Sequence, residues 1–479
     1  MNPSPETLDN NPAPAVYSPW HHHWLGKSGW QPNQLMASRP WLQATGVLAL
    51  LVFAFFGISL DSVPEKAAIL ANLCGLAMLA IYGKPVDGVS LRRSAIVWLA
   101  LTAIGIALVS WIASRLWHPQ WAESSFKVHR LTAWFAMIPV AVILGGQSRN
   151  AHILWAVALA GLLLSPWISG GGLEEWQQGF AGSRIDFGLH NAQHTAMLFA
   201  TAALGLLAFA PAILRRRKYA WLVRLGWFLA LAISISAVIL TQTRGVWAGF
   251  LAALLVLLGA SAVALNKHFK RHRGYFATAI AAAGCAALLA GYLSLGDIVT
   301  HRLEAEQETL ELMQEGDLEK VPFSSTGIRL HTWVEATHWI ARHPIVGWGG
   351  NGRSLIFEHS ENLPPEIKQR FGHLHNSYLD LLVSFGLLGL LLLAAMAYWF
   401  ASRCIRYYRA GLLSGSNLTF AFSFAVLFAI INCFESYLFF DSGRLLLAIV
   451  GGGLLTQLWA AKRQLAAAAS GARCAPNTD

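Results

Sequence analysis

The sequence predicts an all-α polytopic membrane protein with about 12 transmembrane helices, on three observations. Only 13% of its 479 residues are charged and 55% are hydrophobic, with a mean hydropathy of +0.47. A soluble domain carries about 25% charged residues. Apolar runs near 20 residues, the length that crosses a bilayer, recur along the chain. Finally, the basic residues fall in short clusters between those runs. The net charge of +10 is therefore a set of topology signals and not a nucleic-acid surface.

Taken in order, the expected spans are 41–60, 66–83, 95–115, 130–146, 151–168, 190–213, 221–240, 246–265, 276–295, 376–400, 417–434 and 444–461. Residues 1–40 are polar and Pro-rich, with no basic-then-apolar stretch leading to a small-residue cleavage site. They read as a flexible cytoplasmic tail. His21, His22 and His23 lie there between Trp20 and Trp24. They suit a metal or a solvated tail with interfacial tryptophans, and composition favours the tail. The chain then divides into helices 1–9 (41–295), one large outward loop with helical segments (296–375), helices 10–12 (376–461) and a basic cytoplasmic tail (462–479). The five cysteines, Cys74, Cys285, Cys404, Cys433 and Cys474, show no CxxC spacing and support neither a disulfide framework nor a zinc site.

Orientation follows from Lys and Arg. With both termini inside, the inward loops collect Lys84, Arg92 and Arg93; Arg149; Arg215, Arg216, Arg217 and Lys218; Lys267, Lys270, Arg271 and Arg273; and Arg403, Arg406 and Arg409. The short outward loops are poorer in basic residues, as the positive-inside rule requires. In the large loop, a polar helical run over 301–314 is expected. A second helix opens at Ser325 or Thr326, where a hydroxyl can accept from orphan N–H groups, and ends before Pro344.

Against this pattern, Arg184 and Arg244 are exceptions on the outward side. Arg244 lies in Thr-Gln-Thr-Arg-Gly, a loop short enough to pin it at the membrane surface. One such arginine reads as a snorkelling side chain. Two, on the same face as His373 and His375, read as a site. Arginine matches phosphate oxygens with a planar, permanently charged fork, and histidine takes a proton near neutral pH. Together they suit a hydroxyl attacking a carbon that bears a phosphate or diphosphate leaving group, as in a lipid-linked sugar.

Magnesium held by carboxylates is the usual rival. No acidic pair of that kind occurs in the outward loops, and Glu174–Glu175 are adjacent residues that do not face one way on a helix. No metal or other cofactor is expected. His331, Glu335 and His338 share a helix face, but without HExxH they read as a polar face before a zinc set. The glycine-rich stretch 347–352 lacks the Lys-Ser/Thr of a P-loop and reads as a tight turn. His190 and His194 either line the site or satisfy neighbouring polar groups. Asp380 is a weak candidate for orienting His375. Glu435, Asp441 and Arg444 surround the last outward loop, where an ion pair is the default reading.

Four stretches, in this order and around this loop, resemble the O-antigen ligase and polymerase superfamily of bacterial inner-membrane proteins. They are Thr-Gln-Thr-Arg-Gly-Val-Trp-Ala-Gly (241–249), Gly-Ile-Arg-Leu with Trp333 and Ala336, Pro-Ile-Val-Gly-Trp-Gly-Gly-Asn-Gly (344–352) and His-Leu-His-Asn-Ser-Tyr-Leu (373–379). The resemblance implies a GT-C-like fold in the inner membrane with the large loop in the periplasm. It implies metal-independent transfer of a glycan from undecaprenyl diphosphate. By the same resemblance, Arg184 and Arg244 hold the diphosphate, Arg329 contacts donor or fold, and His375 is the general base with His373 as second choice.

Within the superfamily, the layout suits a ligase that joins O-antigen to lipid A–core by an inverting displacement. An O-antigen polymerase acting on undecaprenyl-diphosphate-linked repeats is the alternative. The basic tail without a further periplasmic region speaks against a protein-modifying transferase. A polysaccharide or lipid exporter is the alternative of another class, but no internal repeat with mid-membrane polar groups is evident. The expected partners are undecaprenyl-diphosphate-linked O-antigen as donor, lipid A–core as acceptor, and membrane lipids, with no nucleic acid.

Overall fold

The computed structural model describes residues 30, 39–60, 62–82, 92–268, 321 and 324–473, and its regular structure is helical throughout. In chain order the helices are α1 (Pro40–Phe56), α2 (Ser62–Tyr82), α3 (Ala95–Trp117), α4 (His129–Leu144), α5 (Ser148–Ile168), the short α6 (Gly172–Phe180), α7 (Ala192–Leu214), α8 (Ala220–Leu240) and α9 (Arg244–His268). In the large loop follow α10 (Ser325–Arg342), α11 (Gly352–His359) and α12 (Pro365–Arg370). The chain closes with α13 (Ser377–Arg409), α14 (Gly415–Ile431) and the interrupted α15, made of Asp441–Leu446, Leu447–Gly451 and Gly452–Arg473.

Eight of these helices are long and apolar enough to cross a membrane, and Pro40–Phe56, His129–Leu144 and Gly415–Ile431 are shorter apolar helices. The protein is thus an all-helical, multi-pass membrane protein. The ninth expected span (276–295), the polar run over 301–314 and His21 to His23 lie outside the described residues. Apolar side chains such as Trp98, Leu116, Phe228 and Leu391 stand exposed on the spans. In a soluble protein such a surface would aggregate; here it is the face that meets hydrocarbon.

Two spans contain a stretch of another helix type. In α4, a 3₁₀ stretch at Ala133–Ala136 separates two α-helical pieces. In α15, the π-turn Leu447–Gly451 sits where Trp155 Nε1 of α5 donates to Ile449 O at 3.0 Å, giving a backbone carbonyl of the irregular turn a partner. Between α1, α5, α7, α14 and α15 lies an apolar cavity of about 190 Å³, with His152 and Thr201 among its few polar lining groups.

The large loop packs a small core of Trp339, Trp348, Ile356 and Leu374 against Val383 of α13. Ser324 caps α10 by accepting from Gly327 N at 3.1 Å, so the capping hydroxyl is one residue earlier than the sequence suggests. As expected, α10 stops at Arg342, before Pro344. The glycine-rich turn seats this loop on α13. Trp348 N donates to Val383 O at 2.8 Å and Gly349 N to Ser384 O at 2.9 Å. Gly386, at φ +59°, breaks the helical geometry of α13 there, and a Cβ on it would lie 2.3 Å from the Ile345 backbone. Only glycine permits that approach.

Candidate active site

The site forms where the end of the large loop meets the turn between α14 and α15. Asn376 caps α13, its side-chain oxygen accepting from Tyr378 N at 3.0 Å and Leu379 N at 3.2 Å. Ser377 N donates to Asn432 O at 2.9 Å, and Leu438 N donates to Ser377 Oγ at 3.2 Å. These bonds stitch the start of α13 to residues 432–438. Leu374 is fully buried. Its N–H donates to Asp380 Oδ1 at 3.1 Å, and its carbonyl accepts from Trp333 Nε1 at 2.7 Å. With Leu374 clamped, the histidines on either side of it both reach Glu435. His373 Nε2 lies 3.0 Å from Glu435 Oε1, and His375 Nδ1 lies 3.0 Å from Glu435 Oε2. His375 takes a left-handed backbone, φ +50°, a strained state for a non-glycine residue that clusters at functional sites.

Glu435 is 2% exposed. Burial pushes its carboxyl up, but the hydrogen bonds from His373 and His375 outweigh burial and hold it well below the usual carboxylate range. A carboxylate can only accept, so each ring presents an N–H to it. This leaves the lone pair of His375 on Nε2 and that of His373 on Nδ1 for a substrate. Ser436 N also donates to Glu435 Oε1, at 2.8 Å. Gln193, with its amide nitrogen facing the carboxylate, donates to Oε2 at 2.5 Å and accepts from Arg329 Nη2 at 3.3 Å. Tyr437 is buried, and burial with the adjacent Glu435 pushes its phenol well above the ordinary range, so it stays protonated and donates to Gln193 O at 3.0 Å. Arg329 and Arg184 are the two cations acting on that phenol.

The arginine loops are tied to one another. Arg184 Nε donates to Thr241 O at 3.1 Å, Gln242 Nε2 to Gly182 O at 2.8 Å and Thr243 Oγ1 to Ala192 O at 3.3 Å. Arg244 opens α9. A Cβ on its neighbour Gly245 would lie 2.8 Å from Phe434 Cβ, which sets the Arg244 turn against the segment carrying Glu435. Glu175 shapes the Arg184 loop, accepting from Gly171 N, Asp186 N and Phe187 N. The structure therefore brings His373, His375 and Arg329 onto one cluster and places the Arg184 and Arg244 turns beside it.

Four side readings are settled by geometry. The ion pair expected around the last outward loop is Arg444 Nη1 to Asp441 Oδ1, at 3.1 Å, and Glu435 takes no part in it. Asp380 holds the Leu374 backbone and Arg353 rather than either imidazole, because it lies a turn too far round α13. His194 lines the cluster: its Nδ1 hydrogen-bonds Ser442 Oγ, and its ring meets those of His190 and Phe440 at 4.5 and 4.9 Å. On α10, His331 Nε2 turns away to Val321 O at 3.1 Å, while Glu335 accepts from Trp339 Nε1 and Asn362 Nδ2, each at 2.9 Å. That face is a packing network. Sequence reading missed Glu435 and Gln193 as members of the site. Both sit far in sequence from the histidines, and the one available signal was a carboxylate between two apolar runs.

His373, His375 and Glu435 offer three ligand atoms within 4.8 Å of one another, the described group able to hold a metal. Glu435 already accepts from both rings, an amide and a backbone N–H, and Arg329 stands behind Gln193. That environment suits a hydrogen-bonded dyad as well as an ion.

Residues 229–394 match the O-antigen ligase family model. No curated protein matches the chain. The matched stretch covers about a third of the sequence and contains Arg244, Arg329, His373 and His375. Outside it lie Arg184 in the loop before α7, Gln193 in the first turn of α7 and Glu435 in the α14–α15 turn.

Proposed function

We propose that the protein is an O-antigen ligase that transfers O-antigen from undecaprenyl diphosphate to lipid A–core at the periplasmic face of the inner membrane. The observation that carries the reading is the pair of imidazoles sharing one ionised, buried Glu435, beside the Arg184 and Arg244 turns and Arg329 of α10. Glu435 orients His375 so that Nε2 faces outward as a base. The acceptor hydroxyl attacks the anomeric carbon, the new C–O bond forms as the bond to the diphosphate oxygen breaks, and His375 takes the hydroxyl proton. Arg184, Arg244 and Arg329 stabilise the charge that develops on the diphosphate. Attack without a covalent intermediate inverts the anomeric centre. The apolar cavity between the spans suits part of a lipid chain. His373 is the second choice for base, since it shares the same carboxylate.

Lipopolysaccharide from a deletion strain tests the assignment. A missing ligase leaves bare core while polymer accumulates on the carrier lipid. A core capped with a single repeat would point instead to a polymerase, which shares the donor chemistry. Purified protein that makes no product from donor and acceptor would favour an exporter. Transfer is expected to persist in excess EDTA; its loss, restored by a divalent ion, would assign the histidines to a metal.

A further inference from the structure

A second basic cluster lies behind the first, and none of its members takes part in the proposed chemistry. Arg130 opens α4, Arg353 lies in α11 and Arg444 in the first turn of α15. They converge: Arg353 and Arg444 act on Arg130 as like charges, with Glu123 and Asp380 as the opposing ones, and Arg353 acts on Arg444 in turn. A Cβ on Gly350 would lie 3.8 Å from Arg130 Cγ, which places the α11 entry against Arg130. The Arg353 guanidinium stands over the Phe439 ring at 5.1 Å.

The hydrogen-bond donors of these three guanidinium groups are only partly met. Arg353 bonds Asp380 at 3.2 Å, and Arg444 bonds Asp441, whose side chain is fully exposed and screened by solvent. Arg130, half-buried, makes no hydrogen bond or ion pair from its side chain among the described residues. Arg130 Nε, Arg353 Nε and both Nε and Nη2 of Arg444 are buried without a hydrogen-bond partner there. Leaving several guanidinium donors buried and unsatisfied beside like charges is costly. The arrangement is relieved by a polyanion with several acceptor oxygens, and a phosphoryl group matches the guanidinium fork.

The two clusters are back to back. Phe440 packs on His373 at 5.1 Å, while Phe439, its neighbour, packs under Arg353. Asp380 spans the wall between them, taking Arg353 on one oxygen and Leu374 N on the other. We propose that Arg130, Arg353 and Arg444 form a second anion site that binds a phosphoryl group of the glycolipid acceptor, separate from the diphosphate site at Arg184 and Arg244. The inference rests on the transferase reading above, because a transferase joining two membrane lipids has to hold two headgroups at once.

The test uses the full-length protein in nanodiscs, with three variants, Arg130→Gln, Arg130→Lys and Arg184→Gln. The probes are lipid A carrying both phosphates, the same lipid after phosphatase treatment, undecaprenyl diphosphate, and inorganic phosphate. Loss of a charged hydrogen-bonding partner predicts that Arg130→Gln binds phosphorylated lipid A about 10- to 100-fold more weakly. It should bind undecaprenyl diphosphate as the wild type does, and Arg130→Lys should recover part of the loss. Phosphatase treatment of the lipid should abolish the difference between wild type and Arg130→Gln. Equal binding of phosphorylated lipid A by wild type and Arg130→Gln would overturn the site. Equal loss for both lipids would reduce Arg130 to a folding role and overturn it too. An Arg130-dependent response to inorganic phosphate with none to lipid A would overturn the glycolipid as occupant. If Arg184→Gln binds undecaprenyl diphosphate normally, the donor assignment fails while the second site stands.

Discussion

Two glutamates in this protein are nearly identical by burial and differ in what they hold. Glu335 on α10 and Glu435 in the α14–α15 turn are 5% and 2% exposed, and each has histidine nearby. Glu335 accepts from Trp339 Nε1 and Asn362 Nδ2, donors with no further chemistry to offer, and only a long 3.4 Å contact from His338. Glu435 accepts from two imidazoles, each of which has a second nitrogen open to a substrate. The first network fastens a helix to the 360–363 turn. The second converts a buried charge into the tautomer of a base. Residue type and burial do not separate the two roles; the far side of each partner does.

The largest expected effect breaks the second network at its working end. His375→Ala should lower transfer by about 10²–10⁴, the usual contribution of a general base, while the protein still inserts, as membrane fractionation would check. If His373→Ala is the more damaging of the pair, the base is His373. Arg184→Ala and Arg244→Ala should each cost about 10²–10³ in rate, measured with purified donor and acceptor. A rate within a few-fold of wild type would remove that arginine from the diphosphate.

Glu435→Gln keeps the shape and removes the charge. It should reduce the rate by about 10² or more, because an amide NH₂ turned toward either ring no longer fixes which nitrogen is protonated. Glu335→Ala sharpens the contrast. It should lower stability by about 2–4 kcal/mol through the orphaned Trp339 and Asn362 donors, seen as an earlier thermal unfolding in detergent, with the rate per folded molecule almost unchanged.

The smallest effect is in acid. Burial raises both glutamates, and the hydrogen bonds each accepts more than offset it, so both lie below the usual range when folded. Such groups contribute stability that is fully present above the unfolded carboxyl pKa, about 4.3. It is lost as pH falls through the lower folded value. Thermal unfolding followed below about pH 4.3 should show a steeper loss in wild type than in Glu435→Gln. Parallel curves would mean that Glu435 is not ionised in the fold.

Sequence alone determined the solvent this chain folds in and much of its outline. Hydrocarbon tolerates backbone only when its hydrogen bonds are closed within a helix, so span length and charge depletion were legible without coordinates. The stop before Pro344, the tight glycine turn and the prominence of His373, His375 and Arg244 were legible for the same reason: each is a local rule about backbone or charge placement. Where α15 leaves regular helix was not, because the carbonyl freed there is taken by Trp155 from another helix. Glu435 was hidden as well. Its role is set by contacts sixty or more positions away in the chain, and by a glutamine that comes from α7. Only the packing of helices decided which carboxylate meets an imidazole and which meets a tryptophan, since a hydrogen bond depends on a distance of about 3 Å and sequence spacing across separate helices does not encode it.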